Sequence, residues 1–314
     1  MVVKTALTNL TTVLKWPYMN RLIFDPITED LKKKMVFIGG PRRSGKTHLA
    51  KLLLKKFKSE KNYYNWDQLD HRKIILNQNW GEQKLIALDE IHKFPKWKNF
   101  IKGVFDTQKE EHNFLITGSA RLDLYKKGGD SMMGRYHYWR LHPFSLNELP
   151  HNLKGKEAFD RLLKVGGFPE PFLDSSSDRT ARRWRKERLN LIVREDIRDL
   201  EKINEIQNIS LLIELLKTRV GSLIVISNLA NDLQVAPNTV KRWIEILEKM
   251  YLIFIVKPYT EKLSRSISKP FKVYWVRLAN HLQDLILLSM NRLLFLITLL
   301  IMKYFEFHLF FLSL

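Results

Sequence analysis

The residues Gly40-Pro41-Arg42-Arg43-Ser44-Gly45-Lys46-Thr47 form a G-x-x-x-x-G-K-T octapeptide. Its residue types suit one task, the gripping of a polyphosphate tail. Glycines at 40 and 45 let the backbone curl until successive main-chain N–H groups converge on phosphate oxygens. A helix opening near Lys46 turns its positive N-terminal end to the same point. The Lys46 ammonium is expected to reach the β- and γ-phosphates of a nucleotide, and the Thr47 hydroxyl to sit on a magnesium ion. The binding segment runs from Gly40 through Pro41, Arg42, Arg43, Ser44, Gly45, Lys46 and Thr47 to His48. Average composition makes a chance match of this pattern about a one per cent event in a chain of this length.

A second element complements the loop. Leu85-Ile86-Ala87-Leu88 is a compact apolar run that ends in Asp89-Glu90. An acid at the end of a buried strand can hold magnesium through its water shell, which assigns Asp89 with Thr47 to the metal. Glu90 is placed to act as general base on the attacking water. ATP and Mg2+ are thus the expected cofactors, and ATP hydrolysis the expected reaction. Ser119 closes a third apolar run, Phe114-Leu115-Ile116-Thr117-Gly118, where a hydroxyl can sense the γ-phosphate or orient the water; an ordinary turn serine is the equal alternative. Arg135 and Arg140 are candidates for the positive charge that a neighbouring subunit often brings to the transition state, and Arg135 is the preferred one.

Elements of a definite kind must position these groups. Met35 to Ile38, Leu85 to Leu88 and Phe114 to Thr117 are apolar runs of about four residues, separated by helical stretches, as in parallel strands buried on both faces. A shorter strand is expected over Tyr63-Tyr64-Asn65-Trp66, and a helix directly after the loop, where Leu49, Leu52 and Leu53 share a face. The fold class is α/β with a parallel sheet. Past Pro150 the strands stop. Residues 156–220 read as helices, broken at Gly166-Gly167-Phe168-Pro169, and 222–276 as a helix pair, a strand, a polar loop and a strand. The expected divisions are 15–150, a mostly helical 151–276, and an apolar tail over 277–314.

In the helix pair, Ser227 is expected to cap a helix from Asn228 to Leu233, and Pro237 to open the next. Val240, Trp243, Ile244 and Leu247 then form one buried face, with Asn238, Lys241, Arg242 and Lys249 off it. A strand over Tyr251 to Val256 and a hairpin carrying Arg265 and Lys269 complete a layout of the winged-helix kind, in which the second helix enters a DNA major groove. Duplex DNA is therefore an expected partner through residues 227–269, although Glu245 and Glu248 oppose tight phosphate contact. A nucleotide-gated DNA binder with negligible turnover is the alternative function. Arg182-Arg183-Trp184-Arg185-Lys186 is the densest basic run; the favoured reading is a solvated helix face with Trp184 turned inward.

The 314 residues carry 53 Lys and Arg against 33 Asp and Glu, a net +20 that favours polyanionic partners or a lysine-rich solvated surface. The absence of cysteine excludes disulfides, thiolate zinc sites and cysteine nucleophiles, and fits a reducing, cytoplasmic setting. No secretory signal is visible in the first twenty residues. From Leu285 to Leu314 the chain is almost wholly apolar, but its cleanest run, Leu293 to Met302, falls short of the roughly 20 residues that span a bilayer. A membrane anchor is the minority reading of that segment.

Five motifs in order resemble those of prokaryotic predicted ATPases of the AAA+ superfamily. They are the loop with its preceding Ile38-Gly39; Leu88-Asp89-Glu90-Ile91-His92-Lys93 with Pro95-Lys96-Trp97; Thr117-Gly118-Ser119-Ala120; Gly134-Arg135 followed by Leu141-His142-Pro143-Phe144-Ser145; and Gly166-Gly167-Phe168-Pro169-Glu170. The resemblance covers residues 15–276. It implies a P-loop ATPase core and a following domain of unknown function with a winged-helix-like unit. A second copy of the chain, as in a homo-oligomer, is a candidate partner, as the arginine reading above would need. Ala120 stands where a second serine is usual, and Arg277 where an acid is expected. Beyond it the family's nuclease-like segment has no counterpart here, which fits a truncated or frame-shifted C-terminus.

Overall fold

In a computed structural model of the chain, the described residues are 21–118, 132–149, 155–173, 178–197, 203–258 and 269–275. The readings on Ser119, Ala120, Arg265, Arg277 and the tail from Leu285 lie outside them.

The first part of the chain builds a five-stranded sheet. Its strands are β1 (Met35–Gly39), β2 (Tyr63–Asn65), β3 (Leu85–Asp89), β4 (Asn113–Thr117) and β5 (Tyr136–Arg140), in the spatial order β2-β3-β4-β1-β5. All four pairings are parallel. Alternate side chains of β1 enter two different cores. Met35 and Phe37 join Ile86, Leu88, Phe114 and Trp97 on one face, whereas Val36 and Ile38 join Leu49, Leu53, Leu85 and Leu115 on the other. Burial on both faces is why these strands read as continuous apolar runs.

The helices α1 (Phe24–Asp30), α2 (Lys46–Lys56), α3 (Leu69–Asn77) and α4 (Trp97–Gln108) lie between or before the strands. Helix α2 begins directly after the loop and buries Leu49, Ala50, Leu53 and Leu54 against the sheet. The fifth strand was not expected from the sequence. Tyr136-His137-Tyr138-Trp139-Arg140 carries no Val, Ile or Leu, yet it pairs along its full length with β1 at the edge of the sheet.

Helices α5 (Gly155–Val165), α6 (Pro169–Leu173), α7 (Asp178–Leu191) and α8 (Ile203–Thr218) follow, with a π-helical turn at Ile192–Ile197 continuing α7. Trp184 is turned inward, as expected, and its ring lies 5.1 Å from that of Phe168. The helix pair is α9 (Ile226–Leu233) and α10 (Pro237–Lys249), with Val240, Trp243, Ile244 and Leu247 buried as the spacing predicts. The expected cap at Ser227 is incorrect: α9 starts at Ile226, with Val225 in the cap position and no side-chain cap. Ile226 packs on the core of this region, and that packing outweighs the local preference of serine for a helix start.

A second sheet of three strands, β6 (Leu223–Ile224), β7 (Ile253–Val256) and β8 (Phe271–Trp275), packs beside the pair in the order β6-β8-β7. Both pairings are antiparallel. Strand β7 begins at Ile253 rather than Tyr251, because Tyr251 takes a left-handed conformation at φ 56°. Among the described residues no helix is long and apolar enough to cross a membrane.

Candidate functional site

The loop between β1 and α2 is held in shape by residues that favour few other conformations. Gly40 has φ 143°, and a Cβ there would sit 2.3 Å from the Leu141 carbonyl oxygen. Gly45 has φ 98° and forms the cap of α2. Arg43 is left-handed at φ 62°, an uncommon state for a residue with a side chain and one that clusters at functional loops. The Ser44 amide donates back to the Pro41 carbonyl (3.3 Å). Lys46 is buried, and its Nζ donates to the carbonyl oxygens of Gly40 (3.0 Å) and Pro41 (2.8 Å). The ammonium thus lies folded across the loop from which it is expected to reach phosphates.

The C-terminal ends of β1, β3 and β4 meet at this loop. The strand register pairs Ile38 with Thr117 and Asp89 with Thr117, which puts Asp89 at the edge where the loop begins. Asp89 is buried and accepts from three hydroxyls. Thr47 Oγ1 (3.0 Å) and Tyr63 OH (2.6 Å) share its Oδ2, and Thr117 Oγ1 (2.5 Å) takes its Oδ1. Burial first, then the Asp89 charge, pushes the Tyr63 phenol well above its ordinary pKa, so it remains a donor. Thr47 and Asp89 are hard oxygen donors in contact at the mouth of the loop, which is the donor chemistry that magnesium takes.

Glu90 follows in a left-handed conformation at φ 58°. Its Oε2 lies 3.6 Å from both His92 Nε2 and Lys93 Nζ, and Lys93 also reaches Asp67 (2.5 Å). Burial, then the Asp89 charge, raises the Glu90 carboxyl above its ordinary pKa against the opposing charges of Lys93 and Lys46. A carboxylate so placed is easier to protonate, as a general base must be.

Comparison with known proteins decides the class of this arrangement. A family described as an AAA domain matches residues 32–150, and a domain of unknown function matches residues 156–282. Residues 32–150 form an AAA+ P-loop domain. An uncharacterised protein of Mycobacterium tuberculosis is 26% identical over 245 residues, covering 76% of this chain and 53% of its own. An uncharacterised protein of Methanocaldococcus jannaschii is 24% identical over 300 residues, covering 79% of this chain and 62% of its own. The chain therefore spans about half the length of the first of these curated relatives. Among solved structures, the RuvB Holliday junction branch migration motor of Thermotoga maritima shares 16% identity over 80% of this chain and 96% of its own, with a TM-score of 0.40. The Aeropyrum pernix ORC1 protein in complex with DNA shares 14% over 84% and 92%, with a TM-score of 0.39.

The structure brings the AAA+ loop, Asp89 and Glu90 together. Arg42 and Arg43 lie within the loop and His48 follows it, but the two arginines turn their side chains toward the helices that follow. Arg42 Nη1 pairs with Glu195 (2.9 Å), and Arg43 Nη1 with Glu170 (3.4 Å) while lying over the Trp184 ring. Arg135 is not at the loop. It precedes β5, beside Met35 at the opposite edge of the sheet, and makes a two-point contact with Asp106 (2.7 and 3.1 Å). Five residues of strand, roughly 16 Å, separate it from the loop of its own chain. Arg140 is at the loop edge, opposite Gly39, and stacks on Tyr251.

Several groups escaped the sequence reading. Tyr63 and Thr117 are the extra donors to Asp89. Arg21, which only 7% of its surface exposes, binds the AAA+ loop from behind. Its Nη1 donates to the Ser44 carbonyl (3.1 Å), its Nη2 to the His142 carbonyl, and its Nε to Glu148 Oε1 (2.9 Å). Burial pushes the Arg21 guanidinium below its ordinary pKa, and Glu148 opposes that shift. In the helix pair, Asn238 and Lys241 are exposed, but Arg242 already pairs with Glu205 (2.7 Å), which also accepts from Trp243 Nε1 (3.2 Å).

Proposed function

We propose that the chain binds ATP with magnesium at residues 40–48 and hydrolyses it. The observation that carries this reading is the convergence of the Gly40–Thr47 loop with Asp89 and Glu90 at one edge of the parallel sheet. Lys46 exchanges its two carbonyl acceptors for oxygens of the β- and γ-phosphates. Thr47 and Asp89 would hold magnesium. The ion, when bound, neutralises charge on the phosphate tail. Glu90 takes the proton of the attacking water. Ser119 orients that water or senses the γ-phosphate. Arg135 supplies transition-state charge only across an interface with a second copy, since its own loop lies at the other end of the strand.

The experiment is a comparison of phosphate release with nucleotide binding. Glu90→Gln is expected to bind ATP as the natural chain does and to lose turnover about 100-fold or more. Unchanged turnover in that variant, with the natural chain active, removes Glu90 from its role.

A further inference from the structure

Asp89 is served by more donors than a water-bridged magnesium ligand requires. Thr117 opens the Thr117-Gly118-Ser119-Ala120 motif and Thr47 closes the octapeptide. Tyr63 lies in neither. It lies on β2 at the edge of the sheet, is half-buried, and stands in register with Ala87. Asp89 is two residues further along β3, so it is the diagonal neighbour of Tyr63 on the same face, a separation of about 7–8 Å that an aromatic side chain can bridge. The Tyr63 hydroxyl crosses that gap and ends 2.6 Å from Asp89 Oδ2. A phenylalanine would pack the same ring without the hydroxyl, which bonds Asp89 Oδ2 and also lies within hydrogen-bond reach of Thr47 and Asn65. Lys51 Nζ, from the helix that carries Thr47, lies 5.3 Å from the centre of the Tyr63 ring and helps to fix it.

The two donors to Oδ2 have different fates when the site fills. Thr47 would turn its hydroxyl oxygen to a bound ion and so would give up or reshape its hydrogen bond to Oδ2. Tyr63 comes from β2, outside the loop and the helix that carry Lys46 and Thr47. A short bond from a phenol to a carboxylate is charge-assisted and directional. With Thr117 on Oδ1 it fixes both oxygens, and a carboxylate still has acceptor room for the water shell of an ion. Groups that orient a metal-binding carboxylate in this way commonly change metal affinity by about 10–100-fold when removed.

We propose that Tyr63 is a positioning residue for the magnesium site, its hydroxyl holding Asp89 Oδ2 toward Thr47 while Thr47 engages the ion. This rests on the ATP reading above. The test is equilibrium binding of a fluorescent ATP analogue by the full chain, titrated with MgCl2 and repeated in EDTA, for the natural sequence and Tyr63→Phe. Melting temperature is measured alongside. Tyr63→Phe is expected to raise the magnesium concentration for half-maximal binding about tenfold. Affinity in EDTA should stay within about twofold, because Lys46 and the loop amides are untouched, and the melting temperature within a few degrees. An unchanged magnesium requirement in the variant, with the natural chain magnesium-dependent, overturns the inference and leaves the ATP reading standing. An equal loss of affinity with and without magnesium assigns Tyr63 to general support of the loop and also overturns it. A natural chain that binds no nucleotide in either buffer removes both readings together.

Discussion

At one edge of the parallel sheet, Asp89 takes hydrogen bonds from Thr47, Tyr63 and Thr117, and Lys46 bridges two loop carbonyls. The antiparallel sheet gathers no such cluster among the described residues, and the side chains it leaves exposed include Leu223, Phe254 and Val256. The difference follows from strand direction. Five strands running one way place all their C-terminal ends, and the loops that follow, at a single edge, where groups distant in sequence meet. Antiparallel neighbours alternate direction, so consecutive ends fall on opposite sides. The second region instead concentrates on an apolar core that runs from Ile192 through Leu216, Trp243 and Leu247 to Trp275.

This contrast predicts that damage to the two regions separates cleanly. The largest effect is expected from Trp243→Ala, which empties a fully buried site of the second core and frees Glu205 from one donor. It should cost about 3–5 kcal/mol in chemical denaturation while leaving ATP affinity within about threefold. A parallel collapse of nucleotide binding would join the two regions into one. Arg21→Ala is expected to act on both properties. It strips the Ser44 carbonyl of a donor and leaves Glu148 buried, with Leu22 and Ser145 still donating to it. A loss near 3 kcal/mol, the low end for a broken buried pair, is expected in denaturation, with weaker ATP binding in a titration. The smallest effect belongs to Arg183→Ala. Its pair with Glu187 is exposed on α7, so the stability change should stay under about 0.5 kcal/mol. A larger change would mean that this basic face does more than meet solvent.

The sequence was readable where burial is strongest. Strands β1, β3 and β4 announce themselves because both faces are covered and Met35–Ile38, Leu85–Leu88 and Phe114–Ile116 are continuously apolar. Strand β5 does not, since an edge strand needs only half its surface covered, and aromatic residues flanked by His137 and Arg140 meet that need. The octapeptide and Asp89-Glu90 were legible because local backbone chemistry demands those residue types. Tyr63 and Thr117 were not, because their contact with Asp89 depends on the order β2-β3-β4, which no local pattern encodes. Arg21 was hidden among 53 basic residues. Only its burial beside Ser44 and Glu148 sets it apart. Arg242 was read as an exposed basic residue of the helix pair, and its pairing with Glu205, 37 positions earlier, is equally a product of tertiary contact.

The central claim is that the loop around Lys46 grips a nucleotide's phosphates, and calorimetric titration of ATP in magnesium buffer tests it most directly. The natural chain should bind saturably at one site, and Lys46→Ala should lose about 100-fold or more in affinity while keeping its melting temperature. Heat of binding that is absent in the natural chain, or identical in the variant, contradicts the account.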